Sequence, residues 1–245
     1  MDSTNRSTSL AVLVFSTAAF LPAQTAAGLA GHWEGSAKTP TKELNFEVDL
    51  AKNSTGDLTG TFGNPSEKLK GLLLSNIVVD GNLVRFQIKG APGERAFKGT
   101  FSDDHKSISG DYTQGGYSIP FSMTRVGDAR IETPAKSAAV GKELEGVWNG
   151  TLAADGKQLR AILTLSNQPD GTATGSLVSV DEGIEIPIAT ITQTASNLTL
   201  DLKAVGSSYS GTLNADATEL AGFYTKESLV LSLTFRRTNV TEAKK

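Results

Sequence analysis

Side chains that could perform catalysis are few in this chain of 245 residues. It has two histidines, His32 and His105, and no cysteine, which excludes disulfides, thiol catalysis and cysteine-ligated zinc. His105 follows Asp103 and Asp104, a grouping that could form a metal clip or an acid–base pair. Residues 102–106 are more typical of a polar hairpin tip, and we adopt that interpretation.

Nucleophile and phosphate-binding motifs are incomplete. The segment 206–210 (GSSYS) approaches the Gly-x-Ser-x-Gly nucleophile elbow but lacks its last glycine. Gly141-Lys142 is followed by Glu143 rather than by Ser or Thr, so it is no phosphate loop. The acidic residues around 181–185 and 143–145 predict a solvated face, because nothing in the sequence places them in an apolar pocket. We therefore predict no catalytic residue, no metal ligand, no cofactor and no enzyme activity.

A duplication organises the rest of the chain. Residues 31–35 (GHWEG) return as residues 146–150 (GVWNG), and these segments contain the only two tryptophans, Trp33 and Trp148. Four further residues return 112 positions later: Gly99, Gly110, Tyr112 and Arg125 match Gly211, Gly222, Tyr224 and Arg237. The offset changes only between segments, as it does when insertions fall in turns. His32 flanks Trp33, so it should point outward if the indole points inward.

Each copy alternates apolar and polar residues, which is the pattern of strands with one buried face. Leu44, Phe46, Val48 and Leu50 begin the series, and turn signals separate eight such strands in the first copy. Eight antiparallel strands in sequence order avoid open edges by closing into an up-and-down barrel, although a two-sheet sandwich is the alternative. We predict an all-β protein of two tandem antiparallel eight-stranded up-and-down β-barrels after a signal peptide.

A Gly-x-Trp on the first strand and an Arg on the last strand resemble the calycin group, which comprises lipocalins, fatty-acid-binding proteins and avidins. The resemblance implies that the tryptophan closes one barrel end while the arginine packs across it, as Trp33 with Arg125 and Trp148 with Arg237. The glycine pattern of residues 31–125 and 146–237 is also similar to a β-domain appended to secreted bacterial α/β-hydrolases. The hydrolase domain itself is missing, so its activity is not expected.

The barrel interiors are the remaining candidate site. An eight-stranded barrel is either filled by its own side chains or holds one small ligand. The candidate ligand-binding residues are Phe86, Tyr112, Tyr209, Tyr224 and Phe235. The many large side chains favour a packed core; a cavity is more expected in the second copy than in the first, because Ala161 replaces Phe46. We predict a binding module for a small hydrophobic molecule; alternatively, solid barrels dock a protein partner, such as a separately encoded enzyme.

Composition and termini define the remaining expectations. The net charge of −3 and the lack of a basic cluster argue against nucleic acid as a partner. Residues 10–21 form an apolar run that is too short to span a bilayer and is typical of a cleaved export signal. We predict a signal peptide at 1–27, barrel repeats at 28–127 and 146–237, a linker at 128–145 and a frayed tail at 238–245. The mature protein should be secreted or periplasmic, without membrane attachment.

Overall fold

The computed structural model describes residues 29–38, 43–90, 95–132, 135–154 and 156–238. The predicted signal peptide and residues 239–245 of the predicted tail lie outside these ranges. The strands are β1 Gly31–Lys38, β2 Glu43–Lys52, β3 Leu58–Asn64, β4 Leu69–Asp80, β5 Leu83–Ile88, β6 Arg95–Phe101, β7 Ser107–Gln114, β8 Tyr117–Gly127, β9 Ser137–Ala138, β10 Gly146–Ala154, β11 Lys157–Asn167, β12 Thr172–Ser179, β13 Ile184–Pro187, β14 Thr190–Thr194, β15 Asn197–Leu202, β16 Ser207–Leu213, β17 Glu219–Lys226 and β18 Leu229–Arg237. Short 3-10 turns follow β3 (Pro65–Glu67) and β15 (Lys203–Val205).

The first copy is a closed antiparallel barrel. Strands β1 to β8 pair in sequence order, and β8 returns to pair with β1. The predicted alternation is confirmed, because Phe46, Val48 and Leu50 are buried in the barrel core. Gly99 faces Gly110 across β6 and β7, where a Cβ on Gly110 would lie 2.0 Å from the Lys98 carbonyl oxygen. The all-β, two-barrel architecture predicted from the sequence is therefore correct.

The second copy is a nearly closed barrel of nine strands, where eight were predicted. Its sheet runs β13-β12-β11-β10-β18-β17-β16-β15-β14. The fourth strand of the repeat is split into β13 and β14, whereas its counterpart β4 is continuous. Pro187 ends β13 at the position that Leu73 occupies in the first copy. Proline has no N–H to donate and a fixed φ, so a strand readily ends there.

The segment between the copies is part of the second barrel. Residues 128–145 were expected to be a linker, but they contain β9, which pairs with the start of β12. The Ser137 hydroxyl accepts a hydrogen bond from the Ile191 N–H (2.8 Å) and thereby connects β9 to β14. Val140 and Leu144 are buried in the core. This segment therefore fills the gap that the split strand leaves.

The two barrels contact each other at the ends that lie away from their tryptophans. The Glu185 N–H donates to the Lys89 carbonyl oxygen (2.9 Å), and the side chains of the same two residues form an ion pair (2.9 Å). The Arg95 guanidinium donates to the Glu182 carbonyl oxygen (3.3 Å). A Cβ on Gly90 would lie 2.4 Å from the Gly183 oxygen, so the two backbones are in close contact.

Candidate functional site

The tryptophan and the arginine of each repeat are paired across the first and last strands of its barrel. Both indoles are fully buried, and each indole N–H donates to a leucine carbonyl four residues earlier, Leu29 or Leu144, at 3.0 Å. The Arg237 guanidinium stacks over the Trp148 ring at 4.3 Å, a cation–π contact. Arg125 pairs with Trp33 across β1 and β8 and donates to the Ala30 carbonyl oxygen (2.9 Å).

Sequence reasoning missed the two leucines. Leu29 and Leu144 are related by the same offset of 115 that relates the tryptophans. They are fully buried and accept the indole hydrogen bonds. The repeat therefore begins two residues before the Gly-x-Trp segment, and extending the comparison toward the N-terminus would have found it.

Aromatic rings fill the interior of the first barrel. Phe97 lies at the centre, with ring centroids 4.8 Å from Phe86 and 4.7 Å from Tyr112. Phe46 and Phe121 pack against Phe97 at 5.3 and 5.2 Å. Burial raises the pKa of Tyr112, whose hydroxyl lies 2.9 Å from the side-chain amide of Gln114. The candidate residues Phe86 and Tyr112 thus belong to one packed cluster.

The second barrel contains rings where its glycines make room. Tyr209 is buried, and its ring and hydroxyl lie over Gly211, while Phe235 lies over Gly150. The Tyr209 hydroxyl donates to the carbonyl oxygens of Leu220 (3.0 Å) and Leu233 (3.3 Å), and burial raises its pKa strongly. These rings occupy the interior in which the sequence analysis expected a cavity.

Tyr224 is placed differently from Tyr209. It is half-buried near the end of the second barrel that faces the first, where burial raises its pKa and the charge of Glu182 adds to the effect. The structure therefore does not bring the five candidate ligand-binding residues together: two lie in each interior, and Tyr224 lies at a barrel end.

A groove of about 1130 Å³ lies between the barrels and outside both interiors. One wall is the outer face of β2, β3 and β4. The other is formed by residues 130–132 and Ala135 together with β13, β14 and the turn after β15. Its polar lining consists of Glu47, Asp49, Thr59, Thr61, Lys70, Arg130, Glu132, Thr190, Asp201 and Lys203. Its apolar lining includes Phe62, Leu73, Ile131, Ala135, Pro187, Ala189 and Ala204.

One carboxylate spans the groove. Glu132 binds Lys70 of the first barrel through Oε1 (2.8 Å) and Lys203 of the second barrel through Oε2 (2.6 Å). These hydrogen bonds, to Lys203 first and then to Lys70, lower the pKa of Glu132 to about 2. Each lysine therefore binds one oxygen of the same carboxylate. Through these two ion pairs, Glu132 connects both barrels to the segment between them.

His32 and the segment that carries Glu132 share one hydrogen-bond partner, Asp49. His32 faces away from the barrel interior, as expected, yet it is only 1% exposed. The reason is that the chain after β8 crosses this face, where the Arg130 N–H donates to Asp49 Oδ1 (2.7 Å). His32 Nδ1 lies 2.9 Å from the same oxygen. His32 Nε2 has no hydrogen-bond partner among the described residues, and Glu34 Oε1 lies 3.6 Å from it.

The other polar groupings singled out in the sequence form local structure. Asp104 accepts from the Ser102 hydroxyl (2.7 Å) and the Lys106 N–H (3.1 Å) within a turn, and these bonds lower its pKa. Asp181 pairs with Arg160 (2.7 Å). Within the described ranges, no cluster of three or more His, Asp or Glu residues could hold a metal ion, and no helix is long and apolar enough to cross a bilayer.

Two tandem antiparallel barrels, one closed and one nearly closed, define the structural class of this protein. No protein-family model and no curated protein matches the chain. Among solved structures it is similar to a Bacteroides fragilis protein provisionally named as an outer membrane protein, with 11% identity, a TM-score of 0.26 and coverage of 87% of this chain and 99% of that one. It is also similar to a DUF3598-family protein of unknown function from Nostoc punctiforme, with 13% identity, a TM-score of 0.25 and coverage of 86% and 97%. Similarities at this level carry no functional argument.

Proposed function

We propose that this protein is an exported, non-enzymatic binding module that holds a small molecule in the groove between its barrels. The observation that carries the proposal is the contrast between the two candidate sites. The interiors contain packed rings, whereas the groove combines about 1130 Å³ of volume with hydroxyl, charged and apolar groups. Ligand sites are typically concave clefts of about 300–1,000 Å³ in which a few polar groups fix the orientation of the ligand; this groove is slightly larger and more polar.

The barrels serve as rigid walls in this proposal. The closure by tryptophan and arginine resembles that of calycins, but the packed interiors leave the ligand outside. Contacts at Lys89, Gly90 and Arg95 fix one barrel against the other, and Asp49 fixes the segment that crosses the groove. A site whose walls are held in place in this way loses little freedom when a ligand binds.

Filled interiors also favour the alternative, in which the barrels dock a partner protein. The shape of the groove favours the small molecule, because protein interfaces of standard size bury about 800 Å² on each partner over a broad surface. A cleft between two convex barrels offers a small molecule more contact than it offers a protein.

The test compares three substitutions of similar size increase. Thr61→Trp places an indole in the groove, and Thr100→Trp places one on the outer face of β6 away from it. Ala161→Phe adds a ring to the packed interior of the second barrel. Small molecules retained by each protein purified from its own host are measured by native mass spectrometry, with folding checked by circular dichroism. We expect retention by all variants except Thr61→Trp. Loss only in Ala161→Phe would instead place the ligand inside the second barrel.

A further inference from the structure

The most specific chemical feature of the groove is the position between Lys70 and Lys203. The two lysines come from different barrels, on β4 and on the turn after β15, and both ammonium groups lie within hydrogen-bond distance of one carboxylate. Two ammonium groups so close together repel each other unless an anion lies between them. The fold thus builds a position that suits a carboxylate or a phosphate oxygen pair.

The anion that lies there belongs to the chain itself. Glu132 is about half exposed and both lysines are more than 60% exposed, so its two ion pairs are solvent-screened and individually weak. Glu132 is held in place through its own segment, where the Arg130 N–H is bound to Asp49. A ligand anion of similar geometry could therefore replace Glu132 without any rearrangement of the barrels.

The rest of the groove narrows the choice of ligand. Apart from Glu132, its charged lining consists of three cations, Lys70, Arg130 and Lys203, and three carboxylates, Glu47, Asp49 and Asp201. Cations converge on one point only at the lysine pair, so an anionic group has one preferred position. Leu73, Ile131 and Pro187 line the same groove and can cover an apolar body.

We propose that the groove binds a ligand with one anionic group and an apolar body, that Lys70 and Lys203 bind the anion, and that Glu132 competes with it. This inference rests on the proposed function and specifies the chemistry of the same site. Glu132 sets a threshold, because a tethered carboxylate acts at an effective concentration in the millimolar range. A ligand displaces Glu132 only if contacts of its apolar part add to the binding energy of its anionic group. The site therefore discriminates against simple anions.

The experiment uses calorimetric titration of the full protein with 4-phenylbutyrate, phenyl phosphate and the uncharged 4-phenylbutanamide. Glu132→Gln removes the competing charge, and we expect it to bind at least one of the two anions about 3- to 10-fold more tightly than the wild type. Adding Lys70→Met or Lys203→Met should abolish that gain. The matched control is Lys136→Met, which removes another ion pair of the same segment, to Asp170 (3.0 Å), outside the groove lining.

The outcomes separate this inference from the proposed function. Equal affinity of Glu132→Gln and the wild type for both anions, or a gain that persists in the lysine variants, overturns the anion site. If the uncharged amide binds as tightly as the anions and Thr61→Trp abolishes its binding, groove binding stands while the anion site is refuted. If Thr61→Trp leaves binding of every probe unchanged, the proposed function is refuted as well. A stronger gain for phenyl phosphate than for 4-phenylbutyrate identifies phosphate rather than carboxylate as the preferred group.

Discussion

Substitution of Gly90 by Ala should separate the two barrels by about an ångström. The added Cβ would lie 2.4 Å from the Gly183 oxygen and 2.8 Å from the Ile184 Cα, both backbone atoms, whereas ordinary contact begins at 3.4 Å. A retreat of about 1 Å would stretch the 2.9 Å hydrogen bond from Glu185 to the Lys89 carbonyl beyond hydrogen-bond range. The loss of that bond costs about 1 kcal/mol, and the weakened ion pair of the same residues adds about 0.5 kcal/mol.

The gain from replacing a flexible glycine offsets about 0.5 kcal/mol of this cost, which leaves a net loss of about 1 kcal/mol. For a chain of this size the melting temperature should fall by about 2–4 °C in differential scanning calorimetry. Gly127→Ala is the control, because nothing lies within 4 Å of its added Cβ. If Gly90→Ala matches that control in melting temperature and in ligand retention, the barrels are not held together at this contact, and the groove has no fixed width.

Three further predictions concern the barrels and the groove. Tyr209→Phe should lower the free energy of unfolding by about 1–2 kcal/mol in urea titration, because the buried carbonyls of Leu220 and Leu233 lose a hydrogen-bond donor. Tyr112→Phe should lower it less, because the hydroxyl of Tyr112 lies near solvent. Gly110→Ala should lower the free energy of unfolding by more than about 3 kcal/mol or prevent folding, since the added Cβ would lie 2.0 Å from the Lys98 carbonyl oxygen. A normal yield of stable protein would contradict the register of β6 and β7. The pKa of Glu132 is lowered from 4.5 to about 2, so its bridge should be fully formed above pH 4.5 and be lost as the pH falls toward 2; a carboxyl titration midpoint near 4.5 by NMR would show that the lysines do not hold it.

The strands and the two-barrel organisation follow from the sequence because their determinants are local or repeated. Alternation with a period of two marks each buried strand face, and the repeated Trp33 and Trp148 define the two units. The same repeat locates Arg125 and Arg237, since each lies at or near the end of the last strand of its repeat. Burial of both indoles in the structure agrees with this reasoning.

The split strand of the second barrel could have been predicted and was not. Pro187 replaces Leu73 within an otherwise alternating strand, and proline in such a position is a signal for an edge or an interruption. The burial of His32 had no such signal, because it depends on a segment nearly 100 residues later that crosses the same face. Alternation tells which side of the sheet a residue lies on, but not what covers that side.

The groove could not be predicted because it is formed by the arrangement of the two barrels. Lys70 and Glu132 are ordinary surface charges in the sequence, and only the docking of the barrels brings them to Lys203. A partial signal exists, since Lys89 and Lys203 are related by the repeat offset of 114 and both make contacts near the junction. A repeated charged residue directly after a strand can thus mark a surface between repeats.

Residues 137–144 determine how the two halves can be separated in the laboratory. A fragment that starts at Gly146 would contain every strand of the second sheet path, yet it would lack the buried Val140 and Leu144 and the acceptor for the Trp148 indole. The first barrel, by contrast, is complete by Gly127 if it retains Leu29. The duplicated units are thus no longer interchangeable parts, and only the N-terminal one can be expected to survive alone when the chain is cut at the visible repeat boundary.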